Sequence, residues 1–257
     1  MSNSQEIYKK PDIKDISEAA EQLAVRQQMM RLAHYRFAAG EHSDTKADFD
    51  YISKDLESLM LSATLMVEQA VRSIELNIQT ITYPDVVFGS PNGAVELGEV
   101  FAYLLSQRIG RQVGVVYADK NKETSPPSFY VSNPELQLAS LSEIDQQDVR
   151  VWGVEDVVTT WGSLRRGLGA VSTAVLNQSG KSVSVVGMSA FAQRRGSVVD
   201  SVNDPARLSL LNLNISQWPE HDCLLCDESE PDNDDQGVPV EGIDLQRIFR
   251  SESQRII

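Results

Sequence analysis

VWGVEDVVTTWGS, residues 151–163, starts as one kind of structure and ends as another. Its first half is the near-continuous apolar run of a strand buried on both faces. The run then delivers two adjacent acids, Glu155 and Asp156. After two more apolar residues come Thr159, Thr160, Trp161, Gly162 and Ser163, a turn into a helix that continues over Leu164 to Leu176. Such a turn points free backbone N–H groups and the positive end of a helix dipole at one spot, and the hydroxyls of Thr159, Thr160 and Ser163 add donors, so it suits a phosphate. Two carboxylates beside a phosphate would repel it unless they hold groups that need acceptors, such as ribose hydroxyls or the waters around a magnesium ion. The stretch therefore describes a cradle for a ribose 5-phosphate at the end of a sheet strand.

The flanking sequence repeats the pattern. ITYPDVVFGS (81–90) is a strand that ends in Gly89, Ser90, Pro91, Asn92 and Gly93, and AVELGEVFAYLLSQRIG (94–110) is the helix after it. QVGVVYADK (112–120) and SVSVVGMSAFA (182–192) are further buried strands. Strands alternating with helices of this length imply right-handed crossovers, hence an α/β fold with a mostly parallel twisted sheet and flanking helices. In such sheets ligands lie in the crevice outside the carboxyl ends of the strands, where the loops 89–93, 118–124 and 155–163 all fall. Helical spacing over 15–38 and over Leu56–Ile74 predicts an N-terminal helical hood. The expected organisation is one domain over 1–226 and an acidic C-terminal extension over 227–257. DESEPDNDDQG (227–237) within that extension reads as a solvated excursion.

Composition narrows the function classes. The chain has 257 residues with 41% hydrophobic content, enough for one large core. Its net charge of −14, from 23 Lys+Arg against 37 Asp+Glu, lacks the basic footprint that nucleic acid or an anionic membrane surface requires. An anionic ligand must be attracted locally. MSNSQEIYKKPDIKD has no apolar signal-peptide core, and no segment approaches the ~20 apolar residues of a membrane span. With only two cysteines, Cys223 and Cys226, the expectation is a cytoplasmic protein without a disulfide framework.

Four hydrophobic positions, two acids and then T-T-x-G-S resemble the signature of type I phosphoribosyltransferases, which use phosphoribosyl pyrophosphate (PRPP) with magnesium. Three other segments add to the resemblance. AHYRFAAGEHSD (33–44) is similar to the N-terminal G-H-F-x-L-x-S-G-x-H-S-D of orotate phosphoribosyltransferases. Residues 84–120 share the rhythm of that family's pyrophosphate loop, helix and mobile-loop strand. WPEHDCLLCDE followed by GVPV resembles its C-terminal C-P-L-C and G-I-P-V. The resemblance implies that Ser90, Pro91, Asn92 and Gly93 hold pyrophosphate. It gives Glu155 and Asp156 the ribose hydroxyls and the waters of Mg2+, with no direct protein ligand to the metal. Thr159, Thr160, Gly162 and Ser163 would take the 5-phosphate, and Arg194 the orotate carboxylate. Lys120 or Lys122, with Asp156, would be catalytic, and the assembly would be a homodimer. Transfer to another base, or PRPP binding without turnover, are the alternatives.

Some positions depart from the family pattern or invite a simpler account. Trp161 stands where the motif has glycine, and an indole restricts a backbone that glycine leaves permissive. His34 and His42 read as structural or capping groups near the site entrance. HDCLLC (221–226) offers three zinc ligands where a structural site normally has four, so a small turn that packs its thiols on the domain is favoured.

Overall fold

The computed structural model describes residues 15–37, 40–76, 81–91, 93–121, 123–124, 127–139, 146–194, 207–227, 238–239 and 248–249. In chain order the elements are α1 (Ile16–Arg26), β1 (Met30–Arg36), β2 (Glu41–Ala47), α2 (Asp50–Ser53), α3 (Leu56–Glu75), β3 (Val86–Gly89), α4 (Val95–Ile109), β4 (Gly114–Tyr117), β5 (Asp119–Asn121), β6 (Ser128–Tyr130), α5 (Pro134–Gln137), β7 (Asp148–Val158), α6 (Gly162–Ser179), β8 (Ser182–Arg194), β9 (Arg207–Leu213), β10 (Trp218–Pro219) and β11 (Val238–Pro239).

Five strands form one sheet in the order β4-β3-β7-β8-β9, and every neighbouring pair is parallel. This is the α/β architecture expected from the alternation of apolar runs and helices. β9 is an addition to it: RLSLLNL carries too few consecutive apolar residues to stand out among the buried runs. α3 and α4 bury one face, with Leu65, Met66, Leu97 and Phe101 packed against Trp152, Val154 and Phe191. α6 buries the other, where Leu164, Leu168 and Val171 meet Phe88, Val151 and Met188. α4 can lie close to β3 because two glycines face each other: a Cβ on Gly98 would sit 2.8 Å from the Gly89 Cα.

The edge away from the strand ends is fastened by one acid. Asp85 accepts from the Arg150 backbone N–H at 3.1 Å, from Arg150 Nε at 3.0 Å and from Arg111 Nη1 at 3.1 Å. Burial alone would raise the Asp85 carboxyl, but the hydrogen bonds from Arg150 and the two guanidinium charges hold it below the usual carboxylate range.

The hood is more than helical. Helical spacing over 15–38 holds only to Arg26; Gln28 takes φ +52° and the chain turns into β1. β1 and β2 form an antiparallel hairpin inside a second sheet, β10-β2-β1-β11. Helix and strand are hard to tell apart over MRLAHYR because tertiary pairing, not local preference, decides it. The segment beyond 227 is anchored at two described points: β11 pairs with β1, and Ile248 is fully buried in the core while its carbonyl accepts from the Asn214 N–H at 2.9 Å. The acidic stretch 228–237 lies outside the described residues. Among the described residues no helix is long and apolar enough to cross a membrane.

Candidate functional site

Register places the acid pair. Gly89 of β3 pairs with Val154 of β7, and the Ser90 N–H donates to the Val154 carbonyl at 3.0 Å. β3 has therefore ended one residue before Glu155, so the acids emerge into the crevice at the carboxyl edge. Successive strand side chains diverge to opposite faces. Glu155 accepts from the Ser90 hydroxyl. Asp156 packs on Gly93 so closely that a Cβ there would collide with its carboxylate. The loop after β3 and the acids of β7 thus form one surface, and Gly93 is required by close approach rather than by a turn conformation.

Both acids are held above their ordinary range. For Glu155, which is buried, desolvation is the main cause and the neighbouring Asp156 charge the second; the Ser90 hydroxyl opposes them. For Asp156 desolvation again raises the carboxyl, with help from Asp50, while the Val157 N–H at 2.6 Å favours the ionised form. A hydrogen bond between the two carboxyls raises Glu155 and lowers Asp156, so Glu155 is pushed further up than its neighbour. A hydrogen-bonding diol or a cation beside the pair would favour the ionised carboxylates and act against both shifts.

The turn after β7 has the expected form. α6 begins at Gly162, carries no acid in its first turn, and its N-cap residue makes no side-chain cap. The Arg165 N–H is the one that reaches back to the Trp161 carbonyl, at 3.0 Å, so the amides before it are the orphan donors of a helix start. Thr160 Oγ1 lies over Gly162, and the hydroxyls of Thr159 and Thr160 take no hydrogen bond among the described residues. Arg166 donates from Nη2 to Ser163 Oγ at 3.4 Å and lies 5.8 Å from the Phe129 ring. This cation beside the turn was absent from the sequence expectations; a basic residue one turn into a helix that opens on T-T-x-G-S was its signal.

Trp161 adopts φ +61°, the left-handed region that glycine occupies freely. For a residue with a side chain that conformation costs roughly 1–2 kcal/mol. The indole is 2% exposed and packs with Val158, Leu164 and Leu168 in the core on the α6 side, with its Nε1 unpartnered among the described residues. The backbone follows the path a glycine would take, and the side chain serves as core.

Arg194 closes β8 and is drawn towards the same place. Burial lowers its basicity, and Glu41 and Asp156 act against that. Its guanidinium lies 4.3 Å from the Phe37 ring centroid, so the hood forms one wall of this corner. Phe37 was given no role in the sequence expectations, although it lies in the segment AHYRFAAGEHSD where the orotate phosphoribosyltransferase pattern has Leu. Lys120 lies on β5 opposite Phe129 of β6, and no hydrogen bond or ion pair joins it to the acids among the described residues. Asn92 and Lys122 lie outside the described residues. The structure therefore brings together Ser90, Pro91, Gly93, Glu155, Asp156 and Arg194 along one edge, with Thr159, Thr160, Gly162 and Ser163 at the adjoining turn.

His34 and His42 are not isolated caps. Together with Cys223 and Cys226 they form a group whose four ligand atoms all lie within 4.8 Å of one another. The two ligands that HDCLLC needs beyond its cysteines are supplied by the hairpin, 180 or more residues earlier in the chain, and His221 is exposed and outside the group.

No family model and no curated protein matches the chain. Solved structures similar to it include Mycobacterium tuberculosis orotate phosphoribosyltransferase in complex with Fe(III) dicitrate, at 22% identity and a TM-score of 0.48, covering 77% of this chain and 97% of that one. Leishmania donovani UMP synthase is similar at 14% identity and a TM-score of 0.49, with 77% of this chain covered; the chain spans 36% of that protein's length. Trypanosoma brucei adenine phosphoribosyl transferase is similar at 12% identity and a TM-score of 0.49, covering 78% of this chain and 81% of that one.

Proposed function

We propose that the chain transfers ribose 5-phosphate from PRPP to orotate, giving orotidine 5′-phosphate and pyrophosphate. The observation that carries this is the placement of the Glu155–Asp156 pair between two anion-suited loops, the one after β3 and the one before α6, with Arg194 at the end of the neighbouring strand β8 against Phe37. Phosphate, diol, pyrophosphate and a carboxylate-bearing base would each meet the group that its charge requires. The amides and hydroxyls at the start of α6 bind the 5-phosphate. Deprotonated Glu155 and Asp156 accept from the ribose hydroxyls, and the loop after β3 faces the pyrophosphate. Arg194 pairs with the orotate carboxylate while its plane stays on Phe37.

In the reaction the C1–O bond to pyrophosphate breaks as the C1–N bond to the base forms, and positive charge grows on the ribose. The carboxylates beside the sugar stabilise that charge, and fixed donors hold the phosphate so that the base approaches the opposite face of C1. Magnesium carried by the pyrophosphate would neutralise the leaving group; the acid pair, buried and rich in acceptors, fits the hydroxyls and waters around such an ion. Lys120 or Lys122 would add a cation to the leaving group, and a homodimer is the proposed assembly.

The test is orotate consumption by the purified chain with PRPP and magnesium, read by absorbance and product chromatography, beside calorimetry of PRPP binding. Orotidine 5′-phosphate is the expected product, and Asp156→Asn should lower turnover about 100-fold, the usual cost of losing one transition-state contact. Turnover of a different base would reassign the Arg194 corner. PRPP binding without turnover of any base would make the chain a PRPP-binding protein, and no PRPP binding would overturn the proposal.

A further inference from the structure

We infer that His34, His42, Cys223 and Cys226 bind one zinc ion in a closed Cys2His2 site, separate from the crevice and independent of the activity proposed for it. The distances favour an ion over a hydrogen-bonded cluster. His34 Nε2 lies 2.9 Å from His42 Nδ1, 3.5 Å from Cys223 Sγ and 3.7 Å from Cys226 Sγ, and Cys226 Sγ lies 3.2 Å from His42 Nδ1. A ring nitrogen carries either one hydrogen or one lone pair, so His34 Nε2 cannot satisfy three such neighbours by hydrogen bonding. A tetrahedral zinc with Zn–N of about 2.0–2.1 Å and Zn–S of about 2.3 Å puts its ligands roughly 3.3 Å (N–N), 3.6 Å (N–S) and 3.8 Å (S–S) apart. The observed edges scatter around those values. The rings are tilted by 59° with their centroids 4.9 Å apart, an arrangement compatible with two imidazoles sharing one centre.

The orientation of His42 points the same way. It directs Nδ1 inward and leaves Nε2 buried and unpartnered among the described residues. A buried imidazole would not orphan its outer nitrogen unless the inner one had the stronger interaction. The chain geometry is that of a knuckle on a hairpin. Cys223 and Cys226 are two residues apart in a tight turn in which the Cys226 N–H donates to the Cys223 carbonyl at 3.3 Å. His34 and His42 come from β1 and β2, and β10, just before the knuckle, pairs Trp218 with His42. Two thiolates and two imidazoles select zinc over magnesium or calcium, which prefer oxygen. Four protein ligands leave no open position, so the ion is structural and ties the C-terminal knuckle to the hood hairpin. Cys226 is exposed and offers the route of entry.

The experiment uses the full chain, reduced, loaded with Zn2+ or Co2+ and desalted. About one metal per chain is expected, and the Co2+ form should show the intense visible bands of a tetrahedral ion together with thiolate-to-cobalt charge transfer. In Cys226→Ser and His34→Gln the metal content should fall below roughly a tenth of an equivalent, with folding checked by circular dichroism. Removing the zinc from the wild-type chain with a chelator should lower Tm by about 5 °C or more, and added Zn2+ should restore it. The last two readouts need no variant to fold. A loaded wild-type chain without stoichiometric metal, a Co2+ spectrum lacking thiolate charge transfer, or one unchanged in Cys226→Ser, would overturn the assignment.

Discussion

Glu155 is a carboxyl that burial and the neighbouring Asp156 push above the usual carboxylate range. Because burial and Asp156 raise its folded-state value above 4.5, the folded chain binds more protons than the unfolded one, and stability falls as pH rises from there through the raised value. Glu155→Gln removes that dependence. In thermal melts without ligand the variant should match the wild type at acid pH and melt several degrees higher at pH 8; parallel curves at both pH values would show that the pair is not strained. Trp161 poses the opposite balance. Trp161→Gly relieves about 1–2 kcal/mol of backbone strain but removes a buried indole worth about 3–5 kcal/mol. The loss is larger, so the urea midpoint should fall by the equivalent of about 1–4 kcal/mol. An unchanged midpoint would mean that the indole contributes no more than its backbone costs.

At the scale of elements, the contact between α4 and β3 sets the position of the loop between them. Gly98→Ala places a methyl 2.8 Å from the Gly89 Cα, backbone that cannot give way, so α4 must move outward and take loop 90–93 with it. The expected outcome is a stability loss of about 1–3 kcal/mol and weaker PRPP binding by calorimetry; unchanged binding would show that the loop is positioned independently of the helix. The strands and loops of this edge were legible in the sequence because a strand buried on both faces announces itself as an apolar run and its end as a change to small and polar residues. The hairpin β1–β2 was not, since MRLAHYR fits helix and strand alike and only pairing with EHSDTKA decides. The histidine and cysteine cluster was hidden for a related reason. His34 and His42 are eight residues apart and Cys223 lies 189 residues from His34, so ligand spacing gave no local signal until β10 paired with the hairpin in one sheet.

At the scale of the whole molecule, the described residues beyond 227, β11 and Ile248, pack on the rest of the chain. Ile248 is fully buried in the core that residues of α1, α3 and β9 also line. Ile248→Ala should cost about 2–5 kcal/mol in denaturant unfolding. A cost under 0.5 kcal/mol would instead make this segment a detachable appendage. Charge adds a second global constraint: with −14 overall, attraction for the proposed anionic ligand would have to come from Arg194, Arg166 and the helix start rather than from the general field.

β7 and β8 are joined over ten register pairs, from Asp148–Ser182 to Val158–Gln193. Asp156 and Arg194 both ride on this ribbon, and the register sets Arg194 about three residues further along, roughly 10 Å at the usual strand rise. Under the proposed function, the interval between sugar and base would be a ruler cut into the backbone, which no loop closure could lengthen. A base whose anionic group sits closer to, or further from, its attacking nitrogen would be refused by length alone.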